Sequence, residues 1–110
     1  MQYHVLDTET IGLNPPPEPA SGVVQVAWVE IHPVSLDVIY SHQHMVNPQA
    51  PIHPEASKVH AWYEKDVIDK PLLQSVYFPQ EPVVLITHNY GFDSKFVGRY
   101  IQNLAGSLCT

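Results

Sequence analysis

The sequence predicts an α/β domain: a mixed sheet of three antiparallel strands plus at least one parallel strand, with helices after the third strand. Three observations carry that prediction. Stretches 22–31 (GVVQVAWVEI) and 37–46 are rich in β-branched and aromatic residues and stand a short turn apart, as an antiparallel pair does. Residues 83–87 (VVLIT) form a continuous apolar run, the pattern of a strand buried on both faces. Phe92, Phe96, Val97, Tyr100, Ile101 and Leu104 follow it at helical spacing. That spacing predicts a helix over 92–104, ended by Ala105-Gly106-Ser107. A strand leading into a helix asks for a further parallel strand by a right-handed crossover, which Leu108-Cys109-Thr110 could open.

The first strand is the apolar run Tyr3-His4-Val5-Leu6, and two carboxylates one residue apart, Asp7 and Glu9, stand at its end. Side chains alternate along a strand, so both acids project from the same side if the strand runs through them. Two acids there repel each other and resist desolvation. A divalent cation relieves both costs, and hard carboxylate oxygens suit magnesium or manganese. As acids of a simple turn the pair would need no metal. The apolar strand before it and Thr10-Ile11-Gly12-Leu13 after it favour the metal site.

The rest of the chain reads in order. Asn14-Pro15-Pro16-Pro17-Glu18-Pro19 is a stiff surface loop, since proline lacks the donor and fixes φ; a proline-rich docking ligand is the alternative. In 22–31, Val24, Val26 and Trp28 fall on one face, with Gln25 and Glu30 among those on the other. His42 and His44 share a strand face and are expected to point to solvent, because no further ligands for a zinc pair sit nearby. Residues 54–60 fit one or two helical turns with Pro54 tolerated at the start. Residues 64–68 fit another short helix closed by Lys70-Pro71, and 72–78 a third. Pro79-Gln80-Glu81-Pro82 breaks the chain, and His88-Asn89-Tyr90-Gly91 makes a turn.

Bulk properties narrow the function classes. At 110 residues the chain is a single domain, 1–110, and 45% hydrophobic residues supply a core. No run of about 18 apolar residues predicts a membrane span, and no basic region followed by a long apolar one predicts a secretory signal. The lone Cys109 excludes an internal disulfide. These features point to an intracellular (cytoplasmic) protein with no membrane partner. A net charge of −6 with only five Lys and Arg argues against broad coating of nucleic acid. It leaves room for an enzyme that grips one strand end through metals and backbone amides.

Asp93 stands in the first turn of the helix after the buried strand, where the helix dipole alone would favour an acid. Functional groups of α/β sheets gather at the carboxyl ends of strands. If the first strand and strand 83–87 are parallel neighbours, Asp7, Glu9 and Asp93 converge. With that, nearly the whole chain resembles the DEDD 3′→5′ exonucleases of ribonuclease H-like fold, which include proofreading subunits of bacterial replicative polymerases. The resemblance rests on Asp7-Thr8-Glu9-Thr10-Ile11-Gly12-Leu13, on Val46-Asn47-Pro48 with Ile52-x-Pro54-Glu55-Ala56 and Val59-His60, and on His88-Asn89-x-x-Phe92-Asp93. It implies a two-metal phosphodiesterase, with two magnesium or manganese ions on Asp7, Glu9 and Asp93, water as nucleophile and a nucleoside monophosphate as product. It also implies that Thr10, Gly12 and Leu13 meet the terminal nucleotide of a single-stranded 3′ end and that His60, Asn89 and Phe92 support the site or touch substrate. A DNA polymerase or another replication protein is the implied partner.

The chain departs from that pattern in one respect. The family's third motif, a general-base His or Tyr followed by a fourth Asp, has no counterpart: the last acid is Asp93 and no His follows His88. The sequence therefore resembles the front of such an enzyme, cut before its last strand and helix, with one sheet face uncovered and activity weak or absent. Ala61 and Trp62 replace a Gly and an Ile of the family pattern, and Trp62 is expected to pack rather than stack on a base. A non-catalytic remnant that binds nucleic-acid ends or a partner protein is the competing expectation, and a phosphatase-like metal module a third.

Overall fold

The computed structural model describes residues 1–101 and 103–109, without the Cys109 side chain. Five strands form one sheet: β1 (Gln2–Thr10), β2 (Val23–Ile31), β3 (Val38–Met45), β4 (Val83–Thr87) and β5 (Leu104–Cys109). Their order is β3-β2-β1-β4-β5, so β1 is central. β1 and β2 are antiparallel, as are β2 and β3, while β4 lies parallel to β1 and β5 parallel to β4. The described residues also form the α-helices α1 (Pro54–His60), α2 (Glu64–Val67), α3 (Leu73–Val76) and α4 (Tyr90–Val97). The mixed sheet, the parallel pairing of β1 with β4 and the three short helices agree with the sequence-based expectations.

The predicted helix over 92–104 is shorter than its apolar spacing suggested. α4 stops at Val97, a 3₁₀ turn covers Gly98–Tyr100, and the chain is already in β5 at Leu104. Ala105-Gly106-Ser107 is thus strand rather than helix end, and the last strand expected to be missing is present. The reason is pairing: the backbone of 104–109 completes the outer ladder of β4, from Val83 opposite Leu104 to Thr87 opposite Cys109. Gln102, inside the predicted helix, and Thr110 lie outside the described residues.

One face of the sheet carries the main core. Leu6, Val26, Val83 and Leu85 meet Leu73 and Tyr77 from the α3 region and Phe96, Val97 and Ile101 from α4 and beyond. At its margin, Gln2 donates to Glu81 (2.9 Å), which leaves its Oε1 to accept from His4 Nε2 (3.1 Å). His4 Nδ1 is then the acceptor of the Tyr77 hydroxyl (2.7 Å). Burial lowers the His4 pKa and raises that of Tyr77, so both stay neutral in this chain of bonds. A second cluster, Val24, Ile52 and Val67 with Ile11, Ala56 and Trp62, anchors α1 and α2 beside the end of the sheet.

Two side-chain assignments on β2 are corrected. The register between β1 and β2 slips next to Thr10, so Thr10 faces Val23 while Glu9 faces Gln25. That bulge puts Val23 with Val26 in the main core and sends Val24 to the second cluster. Glu30 pairs with His4 in the ladder and, by the two-residue period, shares the face of Trp28 and Val26.

The opposite face of the sheet is open. Tyr3, Val5, Val29, Ile31, Ile86 and Leu108 project there by alternation and register, and none joins either core cluster. Val5, on the central strand, is 40% exposed, and Leu108 is 54% exposed. This is the uncovered face anticipated above. Among the described residues no helix is long and apolar enough to cross a membrane.

The two faces respond differently to substitution. Phe96→Ala, at a fully buried ring, is expected to cost about 3–5 kcal/mol. Val5→Thr keeps the β-branch on the open face and is expected to cost under about 0.5 kcal/mol. Urea unfolding of both variants checks this; a large loss at Val5 would show that something covers that face in solution.

Candidate active site

β1 runs through the acidic pair to Thr10, so its alternation places Asp7 and Glu9 on the open face and Thr8 and Thr10 on the covered one. Asp7 is exposed and Glu9 half-buried. The third acid comes with α4. Asn89 caps that helix, its Oδ1 accepting the Phe92 N–H (3.2 Å), and Asp93 follows in the first turn. Asp93 is 7% exposed, and Thr8 Oγ1 donates to its Oδ1 at 2.8 Å. Thr8 therefore joins the strand of the acidic pair to the helix of the third acid. Sequence reasoning passed over it; the alternation that pairs Asp7 with Glu9 also turns Thr8 toward whatever covers the other face.

The electrostatics centre on Asp7. Burial raises the pKa of Asp93; the Thr8 hydrogen bond opposes the rise, the Asp7 charge adds to it, and His88 opposes it. Burial also raises the pKa of Glu9, helped by Asp7 and opposed by His60. Asp7 thus acts on both other acids as a like charge. The gathering is pairwise: among the described residues no three His, Cys, Asp or Glu side chains stand close enough together to enclose an ion. The donor chemistry still fits a hard divalent cation, since three carboxylates lie around one strand end and two of them resist ionisation. Asp7, Glu9 and Asp93 are the carboxylates nearest such a site, although as placed they do not form a three-residue ligand group.

Beside the acids lies a cleft of about 1040 Å³, at the upper end of small-molecule sites. Of the sequence candidates, Glu9, Thr10, Gly12, Leu13, His60 and Phe92 line it. Asp7, Asn89 and Asp93 do not. Ile11, Ile52, His53, Pro54, Ala56 and Val59 line it too, and sequence reasoning had not singled them out for a site. Leu13 stands at the rim, 78% exposed, and Phe92 leans on Phe96 with centroids 5.2 Å apart.

Several candidate contacts already have partners. The Thr10 hydroxyl donates to the Gly12 carbonyl (2.8 Å), and the Ile11 carbonyl accepts from the His53 N–H (2.8 Å), which fastens the loop after β1 to the start of α1. His60 Nδ1 accepts the Trp62 N–H (3.0 Å), so Nε2 carries the proton and donates to the Thr10 carbonyl (3.0 Å). His60 therefore braces the loop. Trp62 packs on the second cluster and donates to Gln25 Oε1 (3.2 Å), in line with the expectation that it packs. Ala61 ends α1 in the left-handed region, φ 66°, a conformation that favours glycine.

No protein-family profile matches the chain. Two kinds of relative do. It is 33% identical over 94 residues to exodeoxyribonuclease 10 of Escherichia coli K12, covering 83% of this chain and 38% of that protein. It is 30% identical over 105 residues to DNA polymerase III subunit epsilon of Rickettsia prowazekii, covering 91% of this chain and 44% of that one. Among solved structures, exonuclease X in complex with 5′-overhanging duplex DNA superposes with a TM-score of 0.74 at 29% identity, over 97% of this chain and 58% of that one. Escherichia coli exonuclease I with an oligonucleotide superposes at 0.71, over 90% of this chain and 23% of that one; at 15% identity it supports the fold alone. The chain spans about two-fifths of the length of the curated relatives it matches. Together with its mixed five-stranded sheet, these similarities support a relationship to the DEDD 3′→5′ exonuclease superfamily.

Proposed function

We propose that this chain forms the front part of a metal-dependent 3′→5′ exonuclease, which removes nucleoside monophosphates from a nucleic-acid end. The observation that carries the reading is the Thr8–Asp93 bond: it draws the third acid to the strand end that bears Asp7 and Glu9. Relatives of this kind use divalent ions; magnesium or manganese, two per site, suits the carboxylate donors here. Asp7, Glu9 and Asp93 would hold such ions, which would supply charge stabilisation for an in-line phosphoryl displacement. The protein groups do the positioning. The braced loop of Thr10, Gly12 and Leu13 presents backbone and an exposed apolar side chain to the terminal nucleotide, and Phe92 walls the cleft opposite. Asn89 and His60 hold helix and loop in place. The apolar cleft suits a single unpaired terminal nucleotide better than a long duplex, which an acidic chain repels. A replication protein is a fitting partner, by kinship with polymerase subunit epsilon. One cysteine and no possible internal disulfide suit an intracellular compartment.

One observation favours a second reading, binding to nucleic-acid ends without cleavage. The open sheet face next to Asp7 and Glu9 presents Val5, Ala27 and Val29, which offer neither a base nor a further metal ligand. Loss of a general base costs about 10²–10⁴-fold in rate, so hydrolysis by these 110 residues is expected to be slow.

Incubation with 3′-labelled single-stranded DNA and matched RNA, in manganese, tests the proposal. The expected result is slow mononucleotide release, abolished by EDTA and by Asp7→Ala. Release insensitive to Asp7→Ala would contradict it, and end-binding without any release would establish the second reading.

The same acids set a pH dependence. Glu9 and Asp93 have folded pKa values above their unfolded ones. Each therefore costs stability as pH rises from the unfolded value through the folded one, and the cost persists above both. Asp93→Asn keeps an oxygen for Thr8 and removes the charge. It is expected to raise the thermal midpoint of the metal-free chain at pH 7, with little gain at acid pH, where both forms are neutral. Manganese is expected to raise the midpoint of the parent chain and leave that of Asp93→Asn nearly unchanged. Calorimetric melts with and without the ion check both; a lower midpoint for metal-free Asp93→Asn at pH 7 would reverse the electrostatic reading.

A further inference from the structure

We infer that β3 is a self-pairing edge, through which two copies of this chain join into a continuous ten-stranded sheet. Natural edge strands are shielded by Lys, Pro, inward charges or bulges, because their free backbone groups invite another strand. β3 reads Val-Ile-Tyr-Ser-His-Gln-His-Met, with no Lys, Arg, Asp, Glu or Pro, and all of it but Met45 is exposed. Tyr40 is 59% and Ile39 45% exposed.

The ladder fixes which backbone groups are free. The Val46 N–H donates to the Val24 carbonyl (2.9 Å) and the Gly22 N–H to the Pro48 carbonyl (3.1 Å). With the β2–β3 register, that parity makes Tyr40, His42 and His44 the residues bonded to β2. Ser41 and Gln43 therefore turn their N–H and C=O groups outward.

The occupant follows from the order of residues. Around His42 the strand is self-complementary when read antiparallel: Ser41 falls opposite Gln43, Tyr40 opposite His44, and Ile39 opposite Met45. Each cross-strand pair is of matched kind, polar with polar, ring with ring, apolar with apolar. The outward groups of Ser41 and Gln43 meet in register, and His42 meets its own copy across the twofold axis. A chain of net charge −6 repels its copies over most of its surface; this edge carries no acid. β3 runs parallel to β1, so the twofold sends the two acidic strand ends in opposite directions and leaves both clefts open.

Sedimentation of the full chain over a concentration series tests the edge. A dimer is expected at micromolar concentration. Gln43→Pro removes an outward N–H without touching the β2 ladder and is expected to weaken dimerisation roughly 30-fold or more. Ser41→Lys serves as a second edge variant that keeps the backbone donor. The register has its own test, in a Cys109→Ser background. His42→Cys places two thiols at a non-hydrogen-bonded pair about 4.5 Å apart at Cα, within disulfide range. Tyr40→Cys leaves its copies roughly 13 Å apart. Air oxidation is expected to cross-link the first and not the second. A monomeric parent chain, a dimer that survives both edge variants, or equal cross-linking at positions 40 and 42 would overturn the inference, whether another protein or β5 takes that role.

Discussion

The hydrogen bond from Thr8 Oγ1 to Asp93 Oδ1 spans 85 positions of sequence in 2.8 Å, and the candidate site depends on it. It ties the central strand to the helix that leaves β4. It also holds a buried carboxylate beside another that repels it. Such a bond survives because both groups stand on regular elements: Thr8 within the β1–β2 ladder, Asp93 in the capped first turn of α4. Parallel pairing of β1 with β4 brings the two elements to the same end of the sheet. Without that pairing the two acidic motifs would be unrelated turns.

The site gathers charge at the expense of the fold. Burial and the Asp7 charge both work against ionisation of Glu9 and Asp93, and neither acid has a cationic side chain in a salt bridge with it among the described residues. A purely structural cluster of acids would gain from an Arg or Lys nearby. Here the opposing influences are the Thr8 hydrogen bond and His88 at Asp93, and His60 at Glu9. A divalent ion is the partner proposed for this arrangement, and the open face leaves Asp7 exposed and Glu9 partly so, while Asp93 is buried.

Much of this was legible in the sequence, and the rest was hidden for identifiable reasons. Strand alternation alone put Asp7 and Glu9 together, and the step from an apolar strand into a helix flagged Asp93. Thr8 escaped notice because a threonine between two acids in a strand looks like filler until its opposite face is known to be covered. In the sequence β5 reads as a helix end because Ala-Gly-Ser signals a stop, and a strand at a sheet edge is recruited by a neighbour's backbone rather than by its own side chains. The slip near Thr10 that separates Val23 from Val24 follows from the joint geometry of two strands, which neither strand's pattern encodes. The cleft draws on the loop after β1, on α1 and on Phe92 of α4, and only the folded chain brings these together.

The central claim is that Asp7 and Asp93 serve one metal centre. Manganese binding, followed by the loss of the free-ion paramagnetic resonance signal, tests it in a double-mutant cycle of Asp7→Asn and Asp93→Asn. The account predicts that each substitution weakens binding at least about tenfold and that the pair costs clearly less than the sum, with a coupling of about 0.5–3 kcal/mol. Strictly additive losses, or full binding by Asp93→Asn, would show that the third acid belongs to the helix alone.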